Sequence, residues 1–240
     1  YGTDGNLWGG EVLIAGLEGF ERVGQLKYVP LPGGEAAIRE PWRTAVSYVI
    51  DAYGAEAETT LRILGFLDRY GPHNIAQVMQ VASSRDLSPL SSGAGRLFDA
   101  VAALLGVCDR NTFEGEAAMA LEALVRDDIG EKYPVVQQRD NGYTVMDFSG
   151  AIRAIVDDLS RARPLPEIAS KFHNTMAMAI RNVVTELRDR TGIDIVAVSG
   201  GTFQNVYLLS RVQKMLRNDG LRMLILSLIH ISEPTRQAEI

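Results

Sequence analysis

A single cysteine, Cys108, stands among the 240 residues of the chain. That scarcity excludes an intrachain disulfide framework and any multi-cysteine zinc site, and it fits a reducing cytoplasm. Its place at the end of an apolar helical stretch makes it a buried structural thiol rather than a nucleophile. Positive charge is also short: 24 Lys and Arg stand against 30 Asp and Glu, the net charge is -6, and no lysine-rich run occurs. A broad basic surface for nucleic acid is excluded on that count, although a local pocket is not. No uninterrupted apolar run is long enough to cross a bilayer and no signal peptide is visible, so the chain reads as soluble and without a membrane partner. Nor does a methionine open it. Tyr1 stands inside a glycine-rich stretch, and the chain is expected to be a fragment truncated at both ends.

What the chain does carry is ordinary globular chemistry, with 46% hydrophobic and 22% charged residues, enough for one large domain or two lobes. Its most informative stretch is IDIVAVSGGTFQN, Ile193 to Asn205. Ile193, Ile195, Val196 and Val198 spell a short buried strand, and Phe203, Tyr207, Leu208 and Val212 begin a helical period. Gly200 and Gly201 between them lack a Cβ, so a ligand can lie against their backbone while the helix start turns its amides and positive dipole end toward it. A phosphate or a ribose suits that arrangement. A tight strand-to-helix connection alone would explain the same glycines.

Upstream, Val12 to Ala15 and Phe20 to Val29 read as the arms of a β-hairpin. From Ala36 the period turns helical and stays so to about Asp128. Extended stretches near Tyr133–Val136 and Tyr143–Val145 flank the turn signal Asp140-Asn141-Gly142. A helix over Ile152–Leu159 follows, then a long one from Pro166 with a stripe of Ile168, Phe172, Met176, Ile180, Val183, Val184 and Leu187, ended by Gly192. The pattern is an α/β or α+β lobe with a helical insertion. After a regular helix and a stop at Gly220, the run Leu226 to Arg236 matches nothing before it and resembles the conceptual translation of a transposase adapter used in sequencing libraries. Residues 1–225 are therefore expected to be the domain fragment, and residues 226–240, His230 included, a non-native tail, the alternative being a natural strand and tail.

Three further places could hold a ligand. On GRLFDAVAALLG, Leu97, Phe98, Val101, Leu104 and Leu105 supply a packing side, while Gly95, Asp99 and Ala103 recur every four residues on another face. A carboxylate between small residues can accept hydrogen bonds from ribose hydroxyls; a solvated aspartate is the alternative, and Arg96 could equally face solvent. Gly115, between Glu114 and Glu116, precedes a helix, where carboxylates favour the helix start; it could instead admit a ligand. In PLPGGEAAIREPWR, Arg39 and Arg43 could meet an anion.

Taken in order, YGTDGNLWGGE, PLPGGEAAIREPWR, GRLFDAVAALLG, FEGEAAM and SGGTFQN resemble the C-terminal carbamoyl-transfer domain of HypF, the carbamoyltransferase of NiFe-hydrogenase maturation, from Tyr1 to about Leu224. They match it better than the related threonylcarbamoyl-transferases of tRNA modification. The resemblance implies the two-lobed actin/sugar-kinase/Hsp70-like, RNase-H-like α/β fold, with a nucleotide between the lobes. It implies that Asp99 binds the ribose, that Gly115 passes close to the nucleotide, and that Gly200, Gly201 and Asn205 line an adenylate site. Tyr1 to Gly5 looks like the end of the family's phosphate loop, with Gly2, Asp4 and Gly5 as contacts. The family also carries a divalent metal, held by a His-x-x-x-His pair and a later aspartate. Those ligands are absent from this sequence, and neither His73 nor His173 restores the pair, both reading as packed or surface histidines.

The activity so implied starts from ATP-derived carbamoyl-adenylate made by an upstream adenylate-forming domain. The carbamoyl group passes to the C-terminal cysteine of HypE, giving a thiocarboxamide that is later dehydrated to cyanide. The nucleophile then comes from the partner, which agrees with the lack of an internal Ser-His-Asp or Cys-His set; no catalytic residue is assigned. The alternatives are a nucleotide-binding module without transfer activity, or a carbamoyltransferase acting on tRNA or a small alcohol, the acidic balance weighing against tRNA.

Overall fold

The computed structural model describes residues 1–140 and 142–226 and divides the chain into two compact units, Tyr1–Thr175 and Met176–Ile240. In the first unit, β1 (Glu11–Gly16) and β2 (Gly19–Leu26) form the antiparallel hairpin that the glycine punctuation foretells. β2 then pairs in parallel with β6 (Tyr143–Asp147), and β6 pairs antiparallel with β5 (Val136–Asp140), so the mixed sheet runs β1-β2-β6-β5. The hairpin tip is exposed, whereas Val23 to Leu26 are buried where β6 joins. Gly24 is the residue that lets this happen: a Cβ there would stand 2.9 Å from the Thr144 carbonyl oxygen. A second, two-residue ladder joins β3 (Val29–Pro30) to β4 (Leu90–Ser91).

Seven helices fill the stretch between β3 and β5: α1 (Glu35–Arg39), α2 (Pro41–Tyr53), α3 (Ala57–Ile63), α4 (Phe66–Tyr70), α5 (Pro72–Ala82), α6 (Ala94–Leu104) and α7 (Glu116–Glu122). Proline opens both α2 and α5, where its fixed φ suits a first turn and its missing N–H goes unmissed. α2 packs on α6, its Ala45, Val46 and Val49 fully buried. α6 is buried on every side, since Ala100, Ala102 and Ala103 let neighbours approach faces that an amphipathic helix would leave to water. Phe98 meets Phe172 edge to face, ring centroids 4.9 Å apart. α8 (Ser149–Ser160) starts after Asp147, whose Oδ1 accepts from the Ser149 N–H at 2.8 Å.

One boundary differs from the sequence pattern. Tyr133 lies outside the ladder because its N–H donates to Thr175 Oγ1 at 2.7 Å and its hydroxyl to Asp158 at 2.8 Å; pairing starts only at Val136. Asp140 pairs with Tyr143 as the turn signal requires, while Asn141 of that signal lies outside the described residues.

α9 (Leu165–Thr191) begins in the first unit and continues in the second, ending before Gly192. The second unit adds β7 (Ile195–Val198), a 3-10 turn over Gly201–Gln204, α10 (Val206–Asn218) and β8 (Arg222–Ile225), with β7 and β8 parallel. Leu208, Val212 and Leu216 form the buried stripe of α10, and Arg181 clamps Asp219 with two hydrogen bonds of 2.6 and 2.8 Å. The strand read as buried is buried on one face only. Val198 is covered, but Ile193 and Ile195 keep 46% and 45% of their surface exposed, because β8 is the one ladder partner of β7 among the described residues. Leu226 donates its N–H to the Val198 carbonyl; the rest of the tail assigned to residues 226–240 lies outside the described residues. No helix among the described residues is long and apolar enough to cross a membrane.

His173 is fully buried on α9, its Nδ1 2.8 Å from the Ala169 carbonyl oxygen and its ring edge to face with Phe98. Burial pushes its pKa down to about 4 from the usual 6.5. The unfolded chain therefore takes up the proton first: the histidine's contribution is complete above about 6.5 and is lost as the pH falls through about 4. Other groups titrate with either sign in that range, so the readout is a difference. The gap in urea-unfolding free energy between wild type and His173→Leu is expected to move by about 3 kcal/mol across that window, against wild type at acid pH. A constant gap contradicts a neutral buried ring.

Candidate functional site

Asp99 sits in the middle of α6, 1% exposed, which rules out the solvated reading. The small-residue face proposed for it is not an open face either: Ala103 is fully buried, and only at Gly95 would an added Cβ meet nothing within 4 Å. Arg96, one turn earlier, is drawn in rather than facing solvent, its Nη2 2.9 Å from Asp99 Oδ2. The two are close but not aligned as donor and acceptor, so Oδ2 keeps no hydrogen-bond partner. Burial pushes the Asp99 carboxyl up to about 6, while Arg96 and a hydrogen bond from Asn111 pull the other way. The site thus contains a carboxylate poised to ionise near neutrality with an acceptor oxygen unused.

Asn111 joins this point to the next. Besides reaching Asp99, its Oδ1 accepts from the Ala117 N–H at 3.0 Å in the first turn of α7, and its Nδ2 donates to the Ile38 carbonyl at 2.8 Å. Gly115 is the residue before α7, at φ +83° with open space on its Cβ side. Glu116 is occupied locally, accepting from the Thr112 N–H and from its hydroxyl at 2.8 Å. Arg39 and Arg43 are also engaged close by in sequence, with Glu35 at 3.4 Å and with Glu40.

The glycine-rich N-terminus is stitched to the entry of α6. Leu7 donates to the Leu90 carbonyl at 2.9 Å, Ser92 donates to the Leu7 carbonyl at 3.0 Å, and Ala94 donates to the Gly9 carbonyl at 3.0 Å. Within that loop Gly2 donates to the Asn6 carbonyl and Gly5 to the Gly2 carbonyl. Gly2 has a reason of its own, since a Cβ would lie 2.0 Å from the Trp8 indole nitrogen. Asp4 is spent on the protein: Oδ1 accepts from Asn6 N–H and Trp8 Nε1, Oδ2 from Arg22 and the Tyr28 hydroxyl. Those donors, Tyr28 first, hold its carboxyl well below the usual carboxylate range. Asp4 shapes the loop, with no oxygen left over for a ligand.

The centre of that arrangement is Arg22, which the sequence pattern did not single out. Its guanidinium lies 4.1 Å from the Trp8 ring centre, pairs with Asp4 and with Glu11 at 2.9 Å each, and donates to Tyr28 at 2.9 Å. Glu11 in turn accepts from the Gly9 and Gly10 amides and from the Ser92 hydroxyl. A glutamate directly after two glycines was the available signal. The partners, up to 81 residues apart, were not legible from spacing.

In the second unit, Gly200 and Gly201 follow β7 with nothing within 4 Å of an added Cβ on either, and Gly200 has φ +94°. The helix does not begin at Phe203. The 3-10 turn intervenes, and Asn205 caps α10 by accepting from the Leu208 N–H at 2.8 Å. Asn205 is buried and already serves the helix start, so one of the amides expected to face a ligand is taken by the protein itself.

Cys108 is buried, its thiol pKa pushed up by burial and then by Glu116. No three His, Cys, Asp or Glu side chains gather into a metal-holding group among the described residues, and His173 is packed between aromatic rings. These residues do not fit a metal ion. For the Arg22 cluster, Arg22→Met is expected to lower unfolding stability by about 3 kcal/mol, since it strands the mostly buried Glu11 carboxylate. It should also speed proteolysis in residues 1–10. A loss under about 0.5 kcal/mol in urea unfolding would mean that the cluster does not hold the loop.

A family model described as "Carbamoyltransferase, Kae1-like Domain, second subdomain" matches residues 1–231. The chain is similar to the carbamoyltransferase HypF of Rhodobacter capsulatus, 38% identical over 226 residues, covering 92% of this chain and 28% of that protein. HypF of Synechocystis sp. is 32% identical over 232 residues, covering 92% and 29%. Among solved structures, full-length HypF in the phosphate- and nucleotide-bound form superposes with a TM-score of 0.86 at 35% identity, covering 95% of this chain and 35% of that one. The chain therefore spans under a third of the length of these two curated relatives. With the match running over nearly all of its residues, the chain belongs to the HypF carbamoyltransferase family, where it corresponds to the second subdomain of the Kae1-like domain.

Proposed function

We propose that this chain holds a carbamoyl-adenylate and passes its carbamoyl group to a cysteine thiolate, that of the HypE C-terminal tail, in a fold of the actin/sugar-kinase/Hsp70 type. The observation that carries the reading is Asp99, a buried carboxylate with an unused acceptor oxygen, in a chain that aligns with carbamoyltransferases over 92% of its length. A buried acceptor without a donor is costly to a protein that gains nothing from it. A ribose diol is the donor that the family resemblance suggests. The similar structure solved with phosphate and nucleotide bound supports the same choice.

In this reading Asp99 orients the ribose and Gly115 admits the nucleotide. Gly200 and Gly201 offer backbone without Cβ obstruction to the adenylate, with Asn205 fixing their turn. The loop of Gly2 and Gly5, held in shape by Asp4, serves the phosphate end. The thiolate attacks the carbamoyl carbon, a C–S bond forms, and the C–O bond to the phosphate breaks, its electron pair leaving with AMP. The mixed anhydride is already activated, so the protein's contribution is position and charge stabilisation. Cys108, buried and with a raised thiol pKa, is no candidate for the nucleophile, which agrees with one supplied by the partner. The adenylate comes from the adenylate-forming part of the full-length protein, in the cytoplasm.

In the full-length carbamoyltransferase carrying this segment, Asp99→Asn is expected to reduce carbamoyl transfer to HypE about ten- to a hundredfold, the loss of a hydrogen bond to a charged group, with little change in unfolding midpoint. It should erase the preference for adenosine over 2',3'-dideoxyadenosine. Unchanged transfer and unchanged nucleoside preference would remove Asp99 from the site; adenosine binding without any transfer would instead mark a nucleotide-binding module.

A further inference from the structure

We propose that Arg96 is a positioning residue for the nucleoside site: it supplies the countercharge for Asp99 while leaving the buried Oδ2 without a hydrogen-bond donor, a place that a ligand hydroxyl would take. The proposal rests on the reading that Asp99 takes ribose hydroxyls. Its basis is the geometry of the pair. Arg96 Nη2 approaches Oδ2 to 2.9 Å, with side-chain exposures of 18% and 2%, and yet the two do not form a hydrogen bond. An aligned guanidinium fork would take one lone pair on each carboxylate oxygen, as the Arg181–Asp219 fork does in the second unit, and would halve what Oδ2 can offer a ligand. The offset contact at Asp99 gives the attraction and spares the acceptor. An aspartate without that charge nearby would be pushed by its burial toward the protonated form, in which one oxygen turns donor and the other accepts weakly.

The remaining groups around Asp99 leave Arg96 as its charge partner. Tyr48 on α2 and Cys108 after α6 both feel the Asp99 charge, and burial raises the pKa of each, so both stay neutral near pH 7. Asn111 contributes a neutral hydrogen bond. Asp51 faces Tyr48 and is paired with Lys27, while Glu116 and Asp109 face Cys108. None of these supplies positive charge to Asp99.

The test is the pH dependence of adenosine affinity for the 240-residue chain, with circular dichroism to confirm folding at each pH. Binding needs the ionised form, so affinity is present above the Asp99 pKa and lost as pH falls through it. Wild type is expected to lose affinity about tenfold per pH unit below about pH 6. Arg96→Met should move that fall at least about one pH unit higher, with affinity recovered by about pH 9, while Arg96→Lys keeps the wild-type midpoint. If Arg96→Met does not fold, Arg96→Gln, which drops the charge and keeps polarity, carries the same comparison. Superimposed profiles for wild type and the charge-removing variant, or equal weakening at every pH, overturn the proposal. An Asp99→Asn chain that binds adenosine as wild type does would show instead that the underlying reading of Asp99 has failed.

Discussion

A carboxylate cannot be set in a helix that is buried on every side unless something compensates its charge, and α6 meets that condition at one point. The helix is the centre of the first unit: α2 packs along it, the Phe98–Phe172–His173 cluster closes one flank, and α7 follows on another. In such surroundings an unpaired carboxylate would protonate or open the packing. Arg96 and Asn111 moderate that tendency without exhausting the acceptor capacity of Asp99. The outcome is a fixed acceptor whose position is set by the core, which is how rigid scaffolds hold binding groups more accurately than loops do.

The N-terminal loop depends on the same helix through its entry. Three backbone hydrogen bonds tie residues 7–9 to the segment from Leu90 to Ala94, and the Arg22 cluster fixes the loop's far side to the β1–β2 hairpin. Gly2 and Gly5 belong to the turn before that seam, closed by the Gly2–Asn6 and Gly5–Gly2 backbone hydrogen bonds. Charge in this region is used twice over, with Arg22 satisfying two carboxylates and stacking on Trp8. A loop so braced is fixed in advance, and preorganisation of this kind lowers the ordering cost of any binding.

What the sequence made legible follows local physics. The β1–β2 hairpin announces itself by glycine and alternation, and α9 by its stripe and its stop at Gly192. Helical period over the middle of the chain is plain. Asp99 was identified as a candidate by its small neighbours, but its burial was not, because a helix buried all round has no polar stripe to reveal it. The family resemblance puts Asn205 at the adenylate site; an asparagine directly before an apolar run is also the chemistry of a helix cap, and that role is filled in the structure. The exposed face of β7 and the Arg22 cluster were out of reach for a common reason. Both depend on partners far off in sequence, and spacing carries no information about those.

The account turns on Asp99 being ionised and available to a ribose diol. The most direct measurement is the carboxyl carbon resonance of Asp99, followed by NMR through a pH titration with no ligand, with adenosine, and with 2',3'-dideoxyadenosine. The account predicts a free-state midpoint near the value of about 6 that burial imposes, a lower midpoint with adenosine, and no change with the dideoxy analogue. A midpoint indifferent to adenosine, or shifted equally by both nucleosides, would contradict it.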